Sequence, residues 1–263
     1  MPASVRPEVV ELAGHEEHVA ATRLLADIWG TTPESSPIPS DLLASIAHAG
    51  GCVLGAFTAG GDLAGVTVGV AGGPGVDSIY SLIAAVSSTE AGKGIGSALK
   101  FGQRDWALAR SANRILWTFD PLIRRNAHFN LNKLGARVTE YIPDYYPPMH
   151  DAINRGDRPD RFYAEWRLDE APPAQEIQDA EAATPPALEQ GAHGAPSIPA
   201  FPASKTVRVW IPPDIEAMRR ADADLALQWR LAARQVFEHA FTLGYRPTRL
   251  GSDGAYRLTR TGE

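Results

Sequence analysis

The chain has almost no cysteine: Cys52 is the only one in 263 residues. A disulfide framework is therefore excluded, and one thiol cannot build a structural zinc site, so a reducing cytoplasm is the expected setting. Long apolar runs are missing as well. The stretch 42–61 carries no formal charge, but five glycines interrupt it. It reads as a helix end followed by a strand, not as a membrane span. Residues 1–14 contain acidic residues and no apolar core of signal-peptide length. Basic residues are in deficit: 25 Lys and Arg face 31 Asp and Glu, a net charge of −6. Six of those acids fall between 169 and 204, where there is no Lys or Arg, so the rest of the chain is formally neutral. The basic footprint of a nucleic-acid binder is absent. The seven histidines are scattered without ligand spacing, so no metal is expected.

What is abundant locally is proline. The segment 169–204 has seven of them among alanines and acids. Such a composition buries too little apolar surface to offset the entropy of ordering, so a solvated linker is expected there. It would divide a first domain, 1–168, from a C-terminal extension, 205–263.

Periodicity in the first domain predicts strands at 5–12, 52–58, 63–71, 78–87, 115–119, 138–142 and 162–168. Helices are predicted at 15–29, from Ser40 or Asp41 to 49, at 96–112, and at 125–134 with a stop at Gly135. The order β-α-α-β-β-β-α-β-α-β-β describes a mixed α/β sheet with flanking helices. The extension reads as a small α+β piece: a strand at 206–211, one long helix at 214–243, and a hairpin at 245–250 and 255–259.

One stretch carries chemistry. After the strand at 78–87 come three alternate glycines, Gly92, Gly94 and Gly96, which open a helix. Alternate glycines let the backbone aim several N–H groups at one point and admit a large anion without a Cβ clash. The helix start adds unsatisfied donors and the positive end of its dipole, so a phosphate or pyrophosphate suits it. A Walker loop needs Lys followed by Ser or Thr, and Lys93 is followed by Gly94. A dinucleotide fingerprint needs a third glycine where Ser97 stands.

The run Ala91-Gly-Lys-Gly-Ile-Gly96 resembles the acyl-CoA loop of the GNAT superfamily of N-acetyltransferases, Arg/Gln-x-x-Gly-x-Gly/Ala, with Ala91 at the Arg/Gln position. Downstream, Asn126, Leu131, Leu134 and Gly135 match that family's later helix, where Asn132 stands in place of a common tyrosine acid. The two patches, with the order of strands and helices, cover about 5–168. Trp117–Leu122, the loop 151–161 and Trp229-Arg230 are similar to a GNAT branch with a C-terminal extension, some of whose relatives acylate or succinylate amino acids.

The resemblance implies an N-acyltransferase moving an acetyl or similar group from acyl-CoA to a primary amine of a small molecule, an amino acid being one candidate. A sensor that binds acyl-CoA without turnover, and an enzyme acylating protein amines, are the alternatives. As to assembly, a monomer or homodimer is expected. The expected cofactor contacts are Ala85, Val86, Ala91, Gly92, Lys93, Gly94, Ile95, Gly96, Ser97, Asn126 and Asn130, with the Val86 N–H, or a close neighbour, as oxyanion donor. Asp120 is a candidate base, or else a cap for the turn before Pro121. Tyr141 and Tyr145 are candidate acids, or packing. A carboxylate on the acceptor would want an arginine fork, for which Arg161, Arg230 and Arg234 are candidates, the last two four apart on one helix.

Overall fold

The computed structural model describes residues 7–73, 75–147, 149, 151–170 and 184–260. Its contacts divide the chain into two units. The first holds residues 1–117, 151–153 and 167–169; the second holds 118–150, 154–166 and 170–263. The boundary thus falls inside the expected first domain, just after Trp117, and not at the proline-rich segment.

In the first unit, β1 (Glu8–Glu11), β2 (Cys52–Phe57), β3 (Leu63–Ala71) and β4 (Ser78–Val86) pair antiparallel in chain order. β5 (Arg114–Phe119), whose last two residues belong to the second unit, joins β4 in parallel, through Ser78, Ile79 and Tyr80 opposite Arg114, Ile115 and Leu116. Two helices follow β1: α1 (His15–Trp29) and α2 (Ser40–His48). α3 (Ile95–Leu108) connects β4 to β5.

Alternation along β3 sorts its side chains between two layers. Val66 and Val68 join Leu25, Leu43 and Ile46 in the core under α1 and α2. The odd positions face α3, and two of them are glycines for a steric reason. A Cβ on Gly65 would meet Leu99 at 2.9 Å, and one on Gly69 would meet the Gln103 amide at 3.1 Å. Those bare positions let α3 lie close against the sheet. In β4 the register slips between Ile83, opposite Val68, and Ser81, opposite Gly69, so Leu82 forms a β-bulge.

The second unit begins with α4 (Arg124–Ala127), which widens into a π-helical turn at His128–Lys133, and Gly135 follows at φ +71°. β6 (Arg137–Ile142) pairs antiparallel with β7 (Arg161–Arg167). Five strands form its other sheet, in the order β11-β12-β10-β8-β9. These are β8 (Pro186–Gln190), β9 (Pro196–Ser197), β10 (Thr206–Trp210), β11 (Tyr245–Leu250) and β12 (Ala255–Arg260). The unit's centre is aromatic: the Phe162 ring lies 4.8 Å from Phe237, 5.6 Å from Phe119 and Tyr256, and 5.7 Å from Tyr141.

Two expectations are corrected here. The supposed linker is folded over its later part: β8 pairs with β10, and the N–H of Arg208 bonds to the Pro185 carbonyl. Proline does not prevent this, because the 196–197 strand is short and sits at the sheet's edge. Residues 171–183, the rest of that expectation, lie outside the described residues. The long helix at 214–243 is two helices, α5 (Ile215–Ala221) and α6 (Ala223–Thr242). Asp222 between them is extended (φ −152°, ψ 90°), and its carboxylate accepts the N–H of Leu225, which starts α6 afresh.

Candidate functional site

In the first unit the glycine loop has the geometry expected of an anion cradle. Gly92 and Gly94 lie at φ +80° and +89°, and nothing stands where their Cβ atoms would go. Glycine is needed there for backbone conformation, with the space above left open. The first helical bond of α3 runs from Ala98 N to Gly94 O. The N–H groups of Gly92, Gly94, Ile95, Gly96 and Ser97 have no acceptor among the described residues. Five free donors thus lie at or just before the positive end of a fourteen-residue helix. Lys93 and Ala91 are used otherwise. The Lys93 N–H donates to the Glu90 carbonyl and its ammonium pairs with the Glu90 carboxylate at 3.0 Å, while the Ala91 N–H donates to Ser88.

The β4 strand leading to the loop has one open edge. Its ladder with β5 ends at Tyr80 opposite Leu116, whereas its ladder with β3 continues to Val86. The Ser87 N–H donates to Ala64 on the β3 side, so alternation turns the Val86 N–H toward the open side. Ala85 is buried beside it.

The second unit holds the remaining candidates, and most are engaged with one another. Asp120 is buried, with one oxygen accepting from Arg219 at 2.7 Å and Arg230 at 2.8 Å. Its other oxygen accepts the Leu122 N–H, which is the turn-capping role. Burial pushes the Asp120 carboxyl up, but Arg230, Arg219 and Arg161 together hold it well below the usual carboxylate range. A carboxylate so stabilised binds a proton weakly, which corrects the expectation of a base at Asp120. Arg230 is 1% exposed and also pairs with Asp157 at 2.9 Å; Arg234 pairs with Asp144 at 2.8 Å and with Asp160. The two arginines on α6 therefore bind carboxylates of the chain itself, and do not form a free fork.

Arg161 differs. It is 9% exposed, and its guanidinium donates no hydrogen bond among the described residues. Asp120, already bonded to two arginines, lies 3.9 Å away, and the Tyr146 ring stacks at 5.4 Å. Burial pulls the Arg161 pKa down.

Tyr141 donates to Asp160 at 2.6 Å, and burial, with the Asp160 charge and hydrogen bond, raises its pKa. A phenol tied to a carboxylate gives up its proton less readily, which weighs against the acid role. Tyr145 is exposed, edge-on to Tyr146 at 4.6 Å. Asn126 is half-buried and Asn130 buried, neither with a side-chain hydrogen bond among the described residues. Asn132, where a tyrosine was the comparison, makes a two-point contact with the end of β11. Its amide donates to the Leu250 carbonyl at 2.8 Å, and its oxygen accepts the Leu250 N–H at 2.9 Å.

Sequence reasoning missed Arg219 and, in the first unit, Lys100. Lys100 is 5% exposed on α3 and bonds to Ser81 at 3.0 Å and Gln103 at 3.2 Å. A signal existed: Gly96, Lys100, Gln103 and Ala107 follow helical spacing along the sheet-facing side. Among the described residues no group of three or more His, Cys, Asp or Glu is placed to hold a metal, and no helix is long and apolar enough to cross a membrane.

No protein-family model and no curated protein matches the sequence. Solved structures do match in shape. A proposed acetyltransferase from Acinetobacter baylyi superposes with a TM-score of 0.52 at 15% identity, over 67% of this chain and 100% of its own. The ribosomal-protein-S18-alanine N-acetyltransferase of Escherichia coli gives 0.50 at 14% identity, over 66% of this chain and 99% of its own. A proposed acetyltransferase from Salmonella typhimurium, solved with its cofactor acetyl-CoA, gives 0.50 at 15% identity, over 66% and 100%.

Proposed function

We propose, from the GNAT fold that this chain shares with those acetyltransferases, that it moves an acyl group from acyl-CoA to a primary amine of a small molecule. The observation that carries this reading is the loop at 92–97. Its free N–H donors sit at the start of α3, immediately after a strand with an open edge. The donors suit the pyrophosphate of coenzyme A, and the exposed edge of β4 can pair with the amides of the pantetheine arm. The Val86 N–H, or a near neighbour on that edge, is then the donor for the oxyanion that forms when the amine attacks the thioester. One such preorganised donor contributes about 3 kcal/mol to the transition state. The leaving thiolate needs no dedicated acid, since a thiol has a pKa of about 8.5.

For the acceptor we infer an amine that also carries a carboxylate, such as an amino acid. Arg161 supports this: a buried guanidinium without a hydrogen bond of its own gains most from a bidentate anion. One observation favours the second reading, a sensor that binds acyl-CoA without turnover. The phenol at Tyr141 is committed to Asp160, and position 132 is an asparagine committed to Leu250.

A panel assay separates these readings. Acetyl- and succinyl-CoA are offered with amino acids, the matching amino-acid amides and simple amines, and thiol release is followed. The proposal expects turnover, fastest on free amino acids, with Arg161→Gln raising KM for the acceptor by tenfold or more (about 1.4 kcal/mol). Thiol release no faster than hydrolysis with every amine, despite acyl-CoA binding, would favour the sensor. Equal rates on acids and amides would remove the carboxylate.

A further inference from the structure

Lys100 is a buried amine for which the account above has no use, and its setting is unusual. Its nitrogen bonds to Ser81 at 3.0 Å and to the Gln103 oxygen at 3.2 Å, and lies 4.2 Å from the centre of the Trp117 ring. Ser81 and Trp117 are the residues directly after Tyr80 and Leu116, the last pair in the β4–β5 ladder. The amine therefore sits in the crotch where the two strands part, at the closed end of β4's open edge. By alternation the Ala84 N–H turns to the same open side as that of Val86, and it is three residues from Ser81, roughly 10 Å along the strand against roughly 16 Å for Val86, so a relay through Ser81 requires Ala84 as the oxyanion donor.

The elements packed on α3 bring no carboxylate to it. β2 presents Cys52, whose thiol burial pushes up to about 12, so it stays uncharged. β3 has no titratable residue, β4 presents Ser81 and β5 presents Trp117. On α3 itself, Arg104 and Asp105 pair with each other at 3.3 Å and are not bonded to Lys100. Glu11 of β1 pairs with Arg110 beyond the end of α3. Burial accordingly brings the Lys100 amine down to about 7.

The pocket satisfies both protonation states. An ammonium has three donors, and finds the Ser81 oxygen, the Gln103 oxygen and the Trp117 face. A neutral amine has two donors and one lone pair, which the Ser81 hydroxyl can fill by turning round to donate. Ser81 has no other side-chain partner among the described residues.

We propose that Lys100, through the Ser81 hydroxyl, accepts the proton that the attacking amine must lose. The acceptor arrives as an ammonium; its proton passes to the Ser81 oxygen while the Ser81 proton moves to the Lys100 nitrogen. The free amine then attacks the thioester carbon, the C–S bond breaks, and the second proton from nitrogen leaves with the thiol. Lys100 finally returns its proton to water. Ser81 touches the exchanging proton, and Lys100 acts behind it. This rests on the acyl-transfer reading, so the test has two arms.

The first arm follows the Lys100 ε-carbon by NMR in the full chain, with assignment from Lys100→Arg. A titration midpoint within one unit of 7, shifted by saturating coenzyme A, is expected. A midpoint above about 9.5, the range of an ordinary lysine, overturns the inference, whether or not any amine is turned over. The second arm measures kcat/KM against pH, using the best acceptor from the panel. Lys100→Met and Ser81→Ala should each lower it at least a hundredfold at pH 7. The loss should shrink as pH rises toward the acceptor's own pKa, with KM for acyl-CoA within threefold of the parent. A loss that is constant across pH marks a packing role and also overturns it. If Lys100→Met does not fold, the titration decides alone.

Discussion

Asp120 is the residue on which most of the second unit's buried charge converges. Two arginines bond to it and a third lies within 4 Å. Removing one partner of a buried pair leaves the other charge uncompensated, at a cost of about 3–5 kcal/mol. Asp120→Asn should therefore destabilise the fold by that amount in urea unfolding. The pH dependence has a definite sign. The folded carboxyl is held below its unfolded value, so its contribution is complete above about pH 4 and is lost as pH falls further. The melting temperature of the parent should fall steeply below pH 4, while the variant, already lacking the carboxylate, should show a shallower decline. Parallel curves would contradict the assignment. Asn132 makes a smaller case of the same kind. Asn132→Ala leaves the N–H and C=O of Leu250 unpaired, for about 1–3 kcal/mol of lost stability. Turnover should change by less than about tenfold, because an amide has no acidity to contribute. A thousandfold loss of kcat with coenzyme A still bound would give Asn132 a direct role.

At the scale of elements, β8 and β9 change how the proline-rich segment behaves. Strand β8 has a buried centre, Ala187 and Leu188, and lies between β10 and β9. Limited proteolysis should therefore spare 186–197 as long as it spares β10. Rapid cleavage within that range would return the linker reading. These strands were not legible because composition speaks only for local preference, and the partner of Pro186 is Arg208, far along the chain. Elements whose signals are local were legible. The helix at 15–29 and the strand at 63–71 have the expected bounds. The break between α5 and α6 was missed because Asp222 fits a helix face by spacing while its extended backbone and capping bond end the helix there.

For the whole molecule, the same distinction decides what could be read in advance. The glycine loop announces itself, since the role proposed for it depends on backbone conformation and three neighbouring glycines state that directly. The ion network does not: Asp120 meets Arg219 and Arg230 across 99 and 110 residues of chain. Single arginines and aspartates look alike whether they solvate a surface or hold a core. Hence Arg230 and Arg234 read as a free fork when they are bound, and Lys100, which is buried, stood out by residue type in no way from the chain's other lysines. The proposed activity depends first on the loop at 92–97 acting as a main-chain cradle for the pyrophosphate of coenzyme A. Calorimetric titration of coenzyme A into the parent and Gly94→Val tests it most directly. Gly94 needs φ +89°, which a β-branched residue cannot adopt without strain, and nothing stands within 4 Å of where its Cβ would go. The parent should bind coenzyme A saturably, and Gly94→Val should lose at least a hundredfold in affinity while keeping the parent's circular dichroism. Equal affinity of the two proteins for coenzyme A would contradict it.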